Sequence, residues 1–232
     1  MIENIWVVMP VYNEEVSLIH VVEEWHPKLK ECCKNFTICV LNDGSKDNTL
    51  QIANNLAAKY PEVKIIDKPN TGHGQTCALG YKLALERGAD WVFQIDSDGQ
   101  CDPQYFNNLI ADADKYKVIY GFRAKREDGF QRFLVSRVVS WFTYFATGVW
   151  VRDANVPYRL MHKTALQNII AKIPTDFHLS NILVSVLQQK NNGIHWVNIT
   201  FLDRFGGSPS VKPYSFAKHG FKLFKQLKAT SI

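Results

Sequence analysis

Five continuous apolar, β-branched runs recur through the first 120 residues: Ile5–Met9, Phe36–Leu41, Val63–Ile66, Trp91–Ile95 and Val118–Tyr120. Segments with helical period separate them: Glu14–Cys33, Asn48–Lys59, Gly74–Arg87 and Pro103–Lys115. Strands that alternate with helices imply βαβ units, hence an α/β fold with a mostly parallel central sheet flanked by helices. Runs that are apolar throughout, rather than at every second residue, fit strands covered on both faces. In such a sheet ligands bind beyond the carboxyl ends of the strands.

The polar residues of the chain collect at those ends. The first run leads into Pro10-Val11-Tyr12-Asn13-Glu14-Glu15, the second into Asn42-Asp43-Gly44-Ser45, and the fourth into Asp96-Ser97-Asp98-Gly99-Gln100. Each loop taken singly reads as a turn with a helix cap. Three such loops on one sheet edge make a composite site. No GxGxxG follows the first strand and no GxxxxGK[ST] occurs, so the dinucleotide fingerprint and the P-loop are both absent. Thr71-Gly72-His73-Gly74-Gln75 opens a helix and leaves backbone N–H groups for an anion. Asp96 and Asp98, two residues apart on extended chain, point the same way and repel unless a cation lies between them. A hard divalent ion, Mg2+ or Mn2+, takes such oxygen ligands and bridges to phosphates, and Gln100 offers a further oxygen. The histidines are scattered, with no spacing suited to zinc.

The bulk numbers suit one large domain of 232 residues with a mild net charge of +5. The odd count of five cysteines without CxxC spacing reads as reduced thiols, and no leader pattern opens the chain, so a cytoplasmic location is expected. No stretch reaches the ~18 apolar residues of a spanning helix.

"VVMPVYNEE", "VLNDGSKDNT", "NTGHGQTCALGYKLAL" and "IDSDGQCDP" together resemble, in order and spacing, the family-two glycosyltransferases of the inverting GT-A type. The likeness covers roughly residues 4–215. It implies a GT-A, Rossmann-like fold in one catalytic domain, 1–215, with a nucleotide-sugar-binding half (1–100) and an acceptor-binding half (101–215), followed by a tail, 216–232. By resemblance Asp96, Asp98 and Gln100 hold the metal, the Asp-x-Asp-x-Gln form being similar to that of dolichyl- and polyprenyl-phosphate mannose synthases. The same likeness places Pro10, Tyr12, Glu14 and Asp43 around base and ribose, with Gly72, Gln75 and Asp96 completing the donor site. In the second half, "GFRAKREDG", "VRDANVPYRLM" and "ITFLDRFGGSPSV" resemble family segments carrying Arg123, Asp153, Arg159, Arg204, Gly207 and Ser208. Guanidinium forks match phosphate oxygens. Arg137 interrupts an apolar run and joins the set. The chain departs from the family at Asn42, where a second carboxylate is usual, at Asn155-Val156-Pro157, and near residues 176–181, where an acidic residue is expected.

The resemblance implies transfer of a sugar from a GDP- or UDP-linked donor, with catalytic roles for Asp153, Arg137, Arg204 and Arg123. A hydroxyl acceptor needs a base, for which Asp153 or Asp176 is available, whereas a polyprenyl phosphate is already an anion and needs cations. The Gln100 motif and the arginines fit the second, in cell-surface polysaccharide or lipid-linked sugar synthesis; a glycan acceptor and a non-catalytic nucleotide-sugar-binding subunit are the alternatives. A sugar-nucleotide nucleotidyltransferase would carry a basic, Gly-rich loop after the first strand, where this chain has acidic "PVYNEE". The aromatic stretch Phe130–Trp150 reads either as a core helix or as a membrane-facing one. The tail interleaves lysines with Phe216, Phe221 and Phe224, which suits peripheral contact with the cytoplasmic face of an anionic membrane or a solvated helix. No nucleic-acid-binding signature is present.

Overall fold

The computed structural model describes residues 2–177, 179–206 and 215–230. In chain order the elements are β1 (Ile2–Val11), α1 (Leu18–Cys32), β2 (Cys33–Asp43), α2 (Thr49–Lys59), β3 (Val63–Lys68), α3 (His73–Glu86), β4 (Trp91–Ile95), α4 (Phe106–Ala111), β5 (Val118–Arg126), α5 (Phe130–Thr147), β6 (Tyr158–His162), α6 (Lys163–Ile170), α7 (Ser180–Asn191), β7 (His195–Phe201) and α8 (Ser215–Ala229). They build one sheet in the order β3-β2-β1-β4-β6-β5-β7. Every pairing is parallel except those of β6, which runs antiparallel to β4 and β5. Right-handed crossovers dictate the layers. Stepping outward from β1 to β3 puts α1 and α2 on one face, and the return from β3 to β4 puts α3 on the other, against α6 and α7.

β1 lies inside the sheet between β2 and β4, and its Ile5, Val7, Val8 and Met9 are fully buried, as a strand covered on both faces requires. α3 lies close over it because position 80 is glycine: a β-carbon there would collide with Val8 and crowd Leu41. On the opposite face Trp25 of α1 packs against Phe93, Phe106 and Tyr158, with ring centroids 5.2, 5.6 and 5.9 Å away. Its indole N–H donates to the Cys101 carbonyl at 3.2 Å.

Several elements differ in extent from the sequence pattern. α1 starts at Leu18, not Glu14, because Glu14 turns the chain: its carbonyl accepts from the Ser17 and Leu18 amides at 3.2 and 3.0 Å. The helix expected over 103–115 is a 3-10 turn at Pro103–Tyr105, capped by Asp102, followed by the short α4. β5 runs on to Arg126 through an irregularity between Arg123 and Lys125.

Candidate active site

The register of β1 with β2 pairs Val11 with Asn42, and β1 also pairs with β4, so three strands end along one edge. The first two loops are stitched together there. Asn13 adopts the left-handed region at φ 55°, which an Asn side chain tolerates. Its amide donates to Ser45 Oγ at 3.0 Å and its Oδ1 accepts from the Lys46 amide at 2.8 Å. The Glu14 amide donates to Thr49 Oγ1 at 2.8 Å. Asn42 ties β2 to β3, donating to Asp67 Oδ1 at 2.7 Å. Pro10 is buried and its carbonyl accepts from Ser97 Oγ at 3.1 Å, while Tyr12 is half-buried.

Asp43 organises the entry to α3. Its two oxygens accept from the Thr71 and Gly72 amides at 2.8 and 2.9 Å, and Lys68 pairs with it. Burial alone would raise this carboxyl, but Lys68 and the Thr71 amide outweigh it and hold it below the usual carboxylate range. Gln75, one turn further, donates to the Phe177 carbonyl at 2.7 Å and so tethers α3 to the loop before α7.

Asp96 and Asp98 leave β4 into separate contacts. Asp96 Oδ1 meets His73 Nε2 at 3.0 Å and Gln94 Nε2 at 3.1 Å. Asp98 is 9% exposed; its Oδ1 accepts from the Gln100 amide at 3.2 Å and its Oδ2 lies 3.5 Å from Arg204 Nη1. The other Arg204 nitrogen pairs with Glu14, whose second oxygen accepts from Ser17 Oγ at 2.7 Å. Arg204 thus bridges the first and third loops. The approach depends on Gly99 at φ 80°, where a β-carbon would come within 2.8 Å of Phe205, and on the Phe205 amide, which donates to the Asp98 carbonyl at 2.9 Å. Burial, and then the charge of Asp96, push the Asp98 carboxyl up to about 6.

A buried carboxyl raised by burial and by a second carboxylate two positions away suits a hard divalent cation, which takes such oxygen ligands. Among the described residues no group of three or more His, Cys, Asp or Glu is already arranged as a metal cage. Gln100 donates to the Leu202 carbonyl at 2.9 Å, while its Oε1 faces Arg132 Nη1 at 3.4 Å.

A second cluster lies alongside, built by β5, α5 and the loop before β6. Arg123 grips Asp153 with Nε and Nη2, both at 2.7 Å. Arg126 grips Asp128 at 2.8 and 2.6 Å. Ser136 of α5 accepts from both arginines, at 3.3 and 2.8 Å, and both guanidiniums lie over the Phe201 ring. Arg132, 3.7 Å from Asp128, links this cluster to Gln100. Arg137 is not brought to it: exposed on α5, its guanidinium lies 5.7 Å from the Phe133 ring centroid. Arg159 is fully buried and donates to the carbonyls of Val156, Asn181 and Ala154 at 2.6, 2.8 and 3.0 Å, a structural clamp on the loop. Asp176 is exposed. Gly207 and Ser208 lie outside the described residues. Sequence reasoning did not single out His73, Gln94, Asp128 or Ser136 as partners. Only His73 carried a signal, as a bulky residue between two glycines at a helix start.

The family model for "Glycosyl transferase family 2" matches residues 6–175. An undecaprenyl-phosphate 4-deoxy-4-formamido-L-arabinose transferase of Pseudomonas aeruginosa is 29% identical over 171 residues, covering 73% of this chain and 50% of that protein. The protein of the same description from Pectobacterium atrosepticum is 33% identical over 156 residues, covering 66% of this chain and 46% of that protein. The chain spans about half the length of these curated relatives. In fold it is similar to glucosyl-3-phosphoglycerate synthase from Mycobacterium tuberculosis, solved with Mn2+ and uridine-diphosphate-glucose. That match has a TM-score of 0.68 at 16% identity and covers 99% of this chain and 80% of that one.

Proposed function

Because the chain belongs to glycosyl transferase family 2, we propose that it transfers a sugar, with inversion, from a uridine- or guanosine-diphosphate sugar to a polyprenyl phosphate. The observation that carries the reading is the pairing of Arg204 with Glu14 and Asp98 at the carboxyl edge of the parallel strands. A cation already answers the acidic loop there, at the place where this sheet type takes its ligands. Asp98 and Asp96, with Gln100, would hold a Mg2+ or Mn2+ ion. Such an ion supplies positive charge to the leaving diphosphate. Arg204, released from Glu14, adds a fork to the same oxygens. The loops of Pro10, Tyr12, Glu14 and Asp43 receive base and ribose, and the α3 entry at Gly72 and Gln75 borders the sugar.

In the reaction an acceptor oxygen forms a bond to the anomeric carbon as the bond to the nucleoside diphosphate breaks. A phosphate acceptor needs no proton removed. Both Asp153 oxygens are engaged by Arg123, so Asp153 serves to hold that arginine rather than to act as a base. Arg123 and Arg126, positioned by Ser136, then present positive charge to the acceptor phosphate. The names of the relatives, which act on undecaprenyl phosphate, support this acceptor class.

The test is a thermal-shift screen of nucleoside diphosphates and their sugars, with and without Mn2+, on the wild type and Asp98→Ala. Transfer of the selected donor's labelled sugar to undecaprenyl phosphate follows. A metal-dependent shift lost in Asp98→Ala, with label entering the lipid phase, is expected. Donor binding without transfer to any phosphate lipid overturns the acceptor; no shift with any nucleotide overturns the whole reading.

A further inference from the structure

α5 is built inside out. A surface helix ordinarily buries its apolar stripe and shows its polar one. Here the inward stripe is Ser136, Ser140, Thr143 and Thr147, whose hydroxyls donate back to carbonyls four residues earlier at 3.0, 3.2, 2.8 and 2.7 Å. Ser140 and Thr143 are fully buried. The outward side carries Leu134, Val138, Trp141, Phe142 and Phe145, which are 47, 52, 51, 46 and 68% exposed. Trp150, just past the helix, continues the patch with its ring centroid 5.0 Å from that of Trp141.

α8 extends the same surface. Its Leu223 and Leu227 are buried, and its Phe224 ring stands edge-on to Phe142 at 6.2 Å. Lys222, Lys225 and Lys228 are exposed, and the last two lie over the Phe221 and Phe224 rings. Neither helix contains an Asp or Glu, in a chain that has 22. Arg137 has the same setting, a cation over an aromatic ring on the outward side of α5.

We infer that the outward face of α5, with the exposed lysines of α8, docks on an anionic lipid bilayer. Aromatic side chains settle at the boundary of headgroups and acyl chains, and lysines meet lipid phosphates. Charge selects this occupant over a second copy of the chain, because two such faces would bring their lysines and arginines together without a single carboxylate between them. Among the described residues no helix is long and apolar enough to cross a membrane, so the contact is peripheral. The inference deepens the proposed function and rests on it only for the acceptor. The helix that turns its aromatics outward also holds Ser136 against Arg123 and Arg126 on its inner side. Docking would therefore bring the membrane that holds a lipid phosphate to within one helix diameter, roughly 10 Å, of the second cluster.

The experiment uses the full chain with vesicles of phosphatidylcholine alone or with phosphatidylglycerol, and no polyprenyl phosphate. Co-sedimentation measures binding, and brominated lipids quench tryptophans at the acyl boundary. Binding to the anionic vesicles with tryptophan quenching is expected. Trp141→Ser combined with Phe145→Ser should weaken binding at least about tenfold and remove most of the quenching, with an unchanged melting temperature. Lys222→Ser, Lys225→Ser and Lys228→Ser should each reduce the preference for anionic vesicles by about fivefold. No binding to either vesicle, binding that no variant changes, or a lipid-free dimer dissolved by the aromatic variant overturns the inference. Donor-induced thermal shifts, read in parallel without vesicles, report on the transferase reading alone. Their presence without vesicle binding overturns only the docking face, and their absence with vesicle binding overturns only the transferase.

Discussion

Arg123 and Asp153 form a two-pronged ion pair, 2.7 Å at each prong, with side chains only 8 and 6% exposed. Burial works against the charge on Arg123, and Asp153 outweighs that and keeps it protonated. Removing one partner of a buried pair typically destabilises by about 3–5 kcal/mol, because the other charge is left uncompensated. Asp153→Ala should therefore melt well below the wild type. Asp153→Asn keeps the shape and one acceptor oxygen and should fold. Its transfer rate should fall through a raised acceptor KM, with donor binding unchanged and the pH profile keeping its shape. Loss of the limb at which a base ionises would instead make Asp153 the base.

Asp98 predicts a pH dependence of stability. Its carboxyl titrates near 6 in the folded protein, against 3.8 for the free group. The folded state binds the proton more tightly, so stability falls as pH rises from about 4 through 6. The loss is at most about 3 kcal/mol, at about 1.4 kcal/mol per pH unit. Thermal melts between pH 5 and 7.5 should show the wild type losing stability and Asp98→Asn losing less. Mn2+ should restore part of the loss to the wild type alone. Parallel pH curves for the two proteins would remove Asp98 as the source.

The parallel half of the fold was legible in the sequence because its strands are buried on both faces and announce themselves as unbroken apolar runs. β6 was not, because Tyr158–His162 carries Arg159 in the core. That charge is satisfied by three backbone carbonyls, which no local pattern reveals. The three polar loops of the site were legible because each follows such a run. Their wiring was not: Glu14 meets Arg204 across 190 positions, and Arg123 meets Asp153 across 30. A sequence shows an arginine and an aspartate as separate candidates for catalysis, whereas the bond between them changes what the aspartate can do. The aromatic stretch of α5 left two readings open for a related reason. Both a core helix and a membrane-facing one are rich in aromatics, and only the burial of the serines and threonines shows which side faces in.

Asp43 works in the opposite sense to Asp98. Held below the usual range, its carboxyl contributes stability above pH 4 that is lost as pH falls through its folded value. Asp43→Asn cannot answer Lys68 and presents one fewer strong acceptor to the Thr71 and Gly72 amides. A loss of about 2 kcal/mol at pH 7 is expected, shrinking in melts near pH 3. Nucleotide affinity should fall with it, since the loop into α3 loses its anchor. An unchanged nucleotide thermal shift in Asp43→Asn would separate that loop from the donor site.

Arg204 stands where two demands meet. It neutralises Glu14 and Asp98 in the structure, and in the proposed reaction it turns to the diphosphate. Arg204→Gln removes the neutralising charge and leaves two buried carboxylates facing one another. Without metal the variant should melt below the wild type, more so at pH 7.5 than at pH 5, where Asp98 takes up a proton. Mn2+ alone should stabilise it more than it stabilises the wild type, because the ion no longer displaces a bound guanidinium. Donor affinity should move the other way, weakening by about tenfold or more with the loss of a charge-assisted fork. Isothermal titration of Mn2+, and of the nucleotide at saturating Mn2+, separates the two effects. Equal losses in both titrations would mean that Arg204 only props the loops, and that the diphosphate finds its cations elsewhere.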